Sequence, residues 1–211
     1  MNWLNDVVPY KIETERLIIK CWEPKYAKDL NELIIDSSES LLPWMPFAKA
    51  PFPTISEEVN IIRQFRGEYD LNEDYTLGIF DKNKDSVIGS AGLHTRQGKS
   101  TLEIGYWIGK QFENTGYATE VSSALIKVAF EISDIERVEI NTAADNFRSK
   151  NVIKKLDMHF EGVLRRATKD AYGVLHDSEK YSIIREEYVV SKHKGNNIKC
   201  FSVNNEIIAI Y

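Results

Sequence analysis

The run Glu103-Ile-Gly-Tyr-Trp-Ile-Gly-Lys-Gln-Phe-Glu-Asn-Thr-Gly-Tyr-Ala-Thr-Glu120 places a β-rich segment, a short glycine-containing loop and a helix start in immediate succession. Thr101–Ile108 has strand character, and Val121, Ala124, Leu125 and Val128 recur at helical spacing across Gly116–Glu131. The first turn of such a helix leaves backbone N–H groups unpaired, and the helix dipole adds partial positive charge there. Together these features suit a pyrophosphate. Gly116 and Ala118 keep side chains clear of an approaching phosphate, and Thr115 and Thr119 offer hydroxyl donors. On the residues alone, the glycine also reads as plain punctuation before a helix. A dinucleotide fold is excluded, because no G-x-G-x-x-G is present and the preceding strands read as antiparallel. There is no Walker loop.

Upstream, Arg16–Trp22 is β-branched and apolar, a first strand. After Pro24, the residues Ala27, Leu30, Leu33 and Ile34 follow a helical stripe. Pro43-Trp44-Met45-Pro46 breaks that helix and opens an aromatic loop running to Pro53. A second helix starts at Thr54-Ile55-Ser56-Glu57, which has capping-box form, with Val59, Ile62 and Phe65 inward. Strands through Tyr75–Ile79, Val87–Leu93 and Thr101–Ile108, joined by turns at Asp81–Lys84 and Gln97–Lys99, predict an antiparallel meander.

Downstream, strand Arg137–Thr142 and helix Phe147–Leu156 follow, so the chain runs strand, helix, strand, helix. That order requires a parallel pair with a right-handed crossover. Phe160–Arg166 and Tyr181–Arg185 are expected to close the sheet. The fold class is therefore mixed α/β, with residues 1–190 as one domain. Residues 191–211 form a polar tail, of which Asn205–Tyr211 is either an edge strand or disordered.

The 211 residues suffice for one core, and 43% apolar with 28% charged residues is ordinary for a globular chain. A net charge of −5 argues against nucleic acid as a main partner. Cys21 and Cys200 match no zinc or redox spacing, which fits a reducing cytoplasm. Met1–Tyr10 lacks the form of a signal peptide, and no stretch is long enough to span a bilayer. His94, His159, His176 and His193 show no ligand spacing, so no metal is expected. A cytoplasmic monomer or homodimer is the reading.

The ordered runs EIGYWIGKQFENTGYATEVSSALIKVAFE, RVEINTAADNFRSKNVIKKLDMHFEGVLRR and HDSEKYSII resemble the GNAT superfamily. With TERLIIKCWEP and LLPWMPF they are similar, more narrowly, to the RimJ/RimL group of ribosomal-protein N-terminal acetyltransferases. The likeness covers about residues 12–188. It implies a mostly antiparallel central sheet with a splayed parallel strand pair and helices on both faces, and acetyl-CoA as cofactor. The family's Gln/Arg-x-x-Gly-x-Gly/Ala motif falls on Glu113-Asn114-Thr115-Gly116-Tyr117-Ala118, so Asn114 and Tyr117 join Thr115, Gly116, Ala118 and Thr119 as coenzyme contacts. Glu113 departs from it, and its carboxylate should repel a pyrophosphate unless it turns outward. By resemblance, Trp107, Ile108 and Gly109 pair with the pantetheine arm. Asn146 bonds the same arm, besides reading as a plain N-cap. No tyrosine lies between Phe147 and Leu156, so Ser149 becomes the candidate that stabilises the leaving thiolate.

The implied reaction is direct attack of a neutral amine on the thioester, with a backbone N–H near Ile108 polarising the carbonyl. At pH 7.5 about a third of an α-amine is neutral, against roughly 0.1% of a lysine. A protein N-terminus, ribosomal or other, is therefore the favoured acceptor. A polyamine or aminoglycoside is the alternative within enzymes, and a non-catalytic acyl-CoA-binding module the alternative outside them. Glu103 and Glu139, each on a strand beside the expected cleft, are the candidate bases, Glu103 through a bridging water, and Glu139 is also a candidate acceptor contact. Both also read as solvated strand carboxylates. Trp44, Met45 and Phe47 are candidate walls of the acceptor pocket, and His176 is taken as structural.

Overall fold

In a computed structural model, residues 8–98, 100–131 and 135–210 are described. Residues 1–7, Lys99 of the expected turn and Tyr211 of the expected last strand lie outside the described residues. The strands are β1 (Lys11–Glu13), β2 (Leu17–Cys21), β3 (Tyr75–Asp81), β4 (Val87–His94), β5 (Thr101–Ile108), β6 (Arg137–Ala143), β7 (His159–Lys169), β8 (Leu175–Ile184), β9 (Lys199–Phe201) and β10 (Ile207–Ile210). The helices are α1 (Ala27–Leu41), α2 (Ile55–Asp70), α3 (Tyr117–Glu131), α4 (Phe147–Lys155) and α5 (Arg185–Val190).

All the strands join one sheet in the order β10-β9-β1-β2-β3-β4-β5-β6-β8-β7. Each neighbouring pair is antiparallel except β5 and β6, which run parallel and pair only through Thr101–Arg137, Leu102–Val138 and Glu103–Glu139. Past Glu103 the two strands separate. The antiparallel partner on the other side, β4, stays in register with β5 through Ile108. One edge of β5 is thus free from Ile104 onward.

Alternation along the strands supplies a core on each face. Leu17 and Ile19 of β2, Leu77 and Ile79 of β3 and Leu93 of β4 are fully buried in the same cluster as Val121, Leu125 and Val128 of α3. The opposite face carries Trp22 and Phe80, covered by Leu30 and Leu33 of α1 and Ile62 of α2. The Thr54 hydroxyl accepts the Glu57 amide while Glu57 accepts the Thr54 amide, closing the capping box that starts α2.

The closing strands differ from the sequence expectation. β7 and β8 are longer than Phe160–Arg166 and Tyr181–Arg185, and Arg185 opens α5 rather than ending a strand. β8, not β7, lies next to β6. The polar, two-side-exposed pattern of β7 hid its length, since an edge strand need not alternate. β1 and β9 span three residues each, too short for a periodicity. β9 pairs with β1, and β10 with β9.

Candidate active site

The separation of β5 from β6 opens a cleft of about 1150 Å³ that crosses the sheet. Its floor is the free edge of β5. Gly109 donates its N–H to Ile88 on β4. Successive strand amides point to opposite edges, so the Ile108 and Tyr106 N–H groups face the opening. A carbonyl oxygen arriving there meets fixed donors.

The loop from Gly109 to Tyr117 lies at one end of the cleft. Asn114 and Gly116 adopt positive φ, 60° and 87°. The first helical bond of α3 runs from the Glu120 N–H to the Gly116 carbonyl, so the Tyr117, Ala118 and Thr119 amides stand ahead of it. A Cβ added to Gly116 would approach only the Arg16 guanidinium, at 3.5 Å. The loop is pinned from below by Arg16, which donates to the Thr115 carbonyl at 3.0 Å and to Glu120 at 2.7 Å. The Thr115 hydroxyl turns inward to the Phe112 carbonyl at 2.6 Å. Glu113 does not stand bare: Arg148 of α4 donates to its carboxylate at 2.6 Å.

Asn146 caps α4, its side-chain oxygen accepting the Ser149 N–H at 3.1 Å. The Ser149 hydroxyl meets the hydroxyl of Tyr106, from β5, at 3.0 Å. Burial pushes the Tyr106 phenol up to about 12, against a small opposing pull from Ser149. This phenol stays protonated at working pH. Sequence reasoning found Ser149 but not Tyr106, which reads as one more inward strand aromatic; its hydroxyl among aliphatic neighbours was the available signal.

The other face of the cleft is aromatic and acidic. Trp44, Met45 and Phe47 line it, and the Phe47 ring lies 5.9 Å from that of Trp107. Glu103 reaches the cleft wall but is engaged by the Gln97 amide at 3.0 Å and by Arg96 at 3.8 Å. Glu139 is nearly buried and held between Arg137 and Lys180, each at 2.7 Å. Burial raises its pKa, but the two cations hold it below the usual carboxylate range. It is a neutralised anion rather than an open one. The buried side-chain oxygen of Asn141 on β6 has no partner among the described residues. Near the cleft-lining Phe47 and Asp170, Lys49 donates to the Ala171 carbonyl at 2.9 Å with its ammonium over the Tyr172 ring. His176 lies between Asp145 and Asp170, at 3.3 and 3.4 Å.

These features fit acetyl-CoA. A helix start and a loop without obstructing side chains suit its pyrophosphate, the free β5 edge suits its pantetheine amides, and the orphaned Asn141 oxygen calls for a donor. No group of residues suited to a metal ion occurs among the described residues, and no helix there is long and apolar enough to cross a membrane.

Comparison with known proteins agrees. An acetyltransferase (GNAT) domain model matches residues 16–159. A Bacillus subtilis protein named as a ribosomal N-acetyltransferase, YdaF, is 35% identical, the match covering 82% of this chain and 94% of that one. The Escherichia coli ribosomal protein uS5-alanine N-acetyltransferase is 23% identical over 76% of this chain and 84% of its own. Among solved structures, the microcin C7 self-immunity acetyltransferase MccE, in complex with acetyl-CoA and AMP, superposes with a TM-score of 0.74 at 26% identity, covering 81% of this chain and 93% of that one.

Proposed function

Because the chain belongs to the GNAT acetyltransferases and is an acetyl-CoA-dependent N-acetyltransferase, we propose that its acceptor is the α-amine of a protein N-terminus, acetylated in the cytoplasm. The observation that carries this reading is the cleft running across the sheet, lined by Phe47 and Asp170, next to which Lys49 donates to the Ala171 carbonyl. An extended chain end enters such a passage end-on. The ribosomal names of two relatives support it, as does the small base demand of an α-amine near neutral pH.

In this reading the Tyr117–Thr119 amides and the pinned loop hold the pyrophosphate, and Asn114 and Thr115 shape that loop. The Ile108 backbone on the free edge of β5 aligns the pantetheine arm, with Asn146 beside it; the Trp107 and Gly109 groups expected there are instead turned to β4 and to the Phe112 N–H. The Ile108 N–H polarises the carbonyl. Ser149, backed by the Tyr106 phenol, hands a proton to the departing thiolate. Trp44, Met45 and Phe47 wall the acceptor, with Glu103 on the same cleft; Glu139, neutralised by Arg137 and Lys180, lies behind the wall.

Mass spectrometry of products from a peptide panel and an amine panel tests the acceptor. Peptides led by alanine or serine should gain 42 Da at the α-amine (one acetyl for one hydrogen, about 42 Da). Transfer to spermidine or an aminoglycoside with unmodified peptides would overturn the assignment.

A further inference from the structure

One histidine in the cleft wall has the surroundings of a base. His94 ends β4, and its Nδ1 lies 2.7 Å from Asp74 Oδ2. The other oxygen of Asp74 accepts the Thr95 N–H at 3.2 Å, and the Thr95 hydroxyl donates to the Glu73 carbonyl at 2.6 Å. The carboxylate is therefore fixed before it fixes the ring. Such a contact keeps the imidazole proton on Nδ1 and leaves the Nε2 lone pair free.

The ring leans along the sheet over two glycines. A Cβ on Gly92 would fall 2.7 Å from Nε2, and one on Gly105 would fall 2.9 Å from it. Any side chain at either position would expel the imidazole. Those glycines are paired across β4 and β5, so the ring lies on the acceptor face of β5 at Gly105. The next residue, Tyr106, points to the opposite face and meets Ser149. A proton acceptor and the hydroxyl pair thus occupy opposite faces of β5 at consecutive residues.

We infer that His94, oriented by Asp74, is the general base that takes the proton from the acceptor ammonium. The ammonium gives one proton to Nε2, which passes it to solvent. The neutral nitrogen attacks, the C–N bond forms and the C–S bond breaks. The thiolate takes a proton from the Ser149–Tyr106 pair, which is repaid by the second N–H proton of the attacking amine. Atoms and charge balance with one proton released.

The charged groups facing the ring are Asp74 from the loop before β3, Glu103 paired opposite it on β5, and Arg96 from the turn after β4. Glu103 is occupied by Gln97 and Arg96, and Glu139 beyond it by Arg137 and Lys180. Asp74 is the group in contact. Burial raises the Asp74 pKa, but the His94 hydrogen bond and charge hold it below its usual value.

This inference rests on an amine entering the cleft as proposed, whichever amine it is. The test compares wild type, His94→Gln and Asp74→Asn in kcat/KM against pH, with an alanine-led peptide or, if that is inert, spermidine. At pH 7 His94→Gln should lose about 5- to 10-fold with the peptide, of which about one α-amine in seven is already neutral, and about 10²- to 10³-fold with spermidine. With the peptide the deficit should narrow below about 2-fold near pH 9.5, where an α-amine is already neutral. A merely structural role gives a deficit independent of pH and overturns the inference. The second readout needs no acceptor: nitrogen NMR of the neutral ring should show the His94 proton held on Nδ1 in wild type and shared with Nε2 in Asp74→Asn, and an unchanged tautomer overturns the dyad. Calorimetric acetyl-CoA binding checks the fold of each variant. Should His94→Gln fail that check, Asp74→Asn carries both readouts. Failure of the acceptor reading alone appears as a dyad whose Nδ1 proton is held as expected with peptides left unmodified.

Discussion

Arg148 donates to the carboxylate of Glu113 at 2.6 Å, tying the first residue of the pyrophosphate loop to the helix that carries Ser149. The carboxylate is largely covered and the guanidinium is largely exposed. Arg148 therefore cancels a charge that would otherwise face the phosphates.

Removing the two partners separately should have opposite effects. Glu113→Gln frees Arg148 for the phosphates and should tighten coenzyme A about 3- to 10-fold at low salt. Arg148→Gln leaves the carboxylate unopposed and should weaken binding by a similar factor. The double variant should return close to wild type, and the spread among variants should shrink in 0.5 M salt (Debye length about 4 Å). Calorimetry at two ionic strengths measures all of these.

Gly116 is required by its backbone rather than by its space. The nearest group to an added Cβ is the end of Arg16 at 3.5 Å, an ordinary contact, but φ is 87°. Gly116→Ala should cost about 1–2 kcal/mol in the loop conformation. Coenzyme A affinity should fall about 10-fold, with a smaller fall in melting temperature. A variant equal to wild type in both would show that the loop does not hold this conformation in solution.

The central half of the molecule was legible because its signals are periodic. The α3 stripe of Val121, Ala124, Leu125 and Val128 is buried as its spacing requires, and the Thr54 capping box forms with both hydrogen bonds. Asn146 and Ser149 are brought together by a cap, which a sequence shows directly. The pairing of Arg148 with Glu113 spans 35 residues, and that of Tyr106 with Ser149 spans 43. Neither has a local signature, because each depends on how α4 packs beside the end of β5. His94 was silent for the same reason. Its partner Asp74 comes from a different loop, and the glycines that admit its ring read as ordinary strand glycines.

The Ser149–Tyr106 pair predicts a loss in turnover without a loss in donor binding. Ser149→Ala should lower kcat by about 10²-fold, and Tyr106→Phe by about 10-fold, since the serine hydroxyl remains in the second case. Acetyl-CoA affinity should change less than 3-fold in each (under about 1 kcal/mol). With the phenol held up at about 12, its loss of a proton cannot produce a basic limb below about pH 11. A wild-type limb at lower pH that disappears in Tyr106→Phe would count against this assignment.

The chain after α5 is bound to α3 through a buried histidine, and this makes stability depend on pH. His193 is 1% exposed; its Nε2 bonds the Leu156 carbonyl at 2.8 Å and its Nδ1 meets the Ser123 hydroxyl at 2.5 Å. Asn196 donates to the same hydroxyl at 2.7 Å, so Ser123 can donate onward to Nδ1 only while the ring is neutral. Burial lowers the His193 pKa below its ordinary value, the Leu156 contact opposing it. A depressed base pKa means that the unfolded chain binds the proton first. Stability is therefore complete above about pH 6.5 and falls as pH drops below it, until the folded form also protonates. His193→Gln should cost about 1–3 kcal/mol at pH 7.5 through imperfect replacement of two buried hydrogen bonds. The same variant should lose part of the fall in melting temperature between pH 7 and 5. Hydrogen exchange should show the change concentrated in residues 192–201, where the turn and β9 dock. Equal acid sensitivity in wild type and variant would place the titrating group elsewhere.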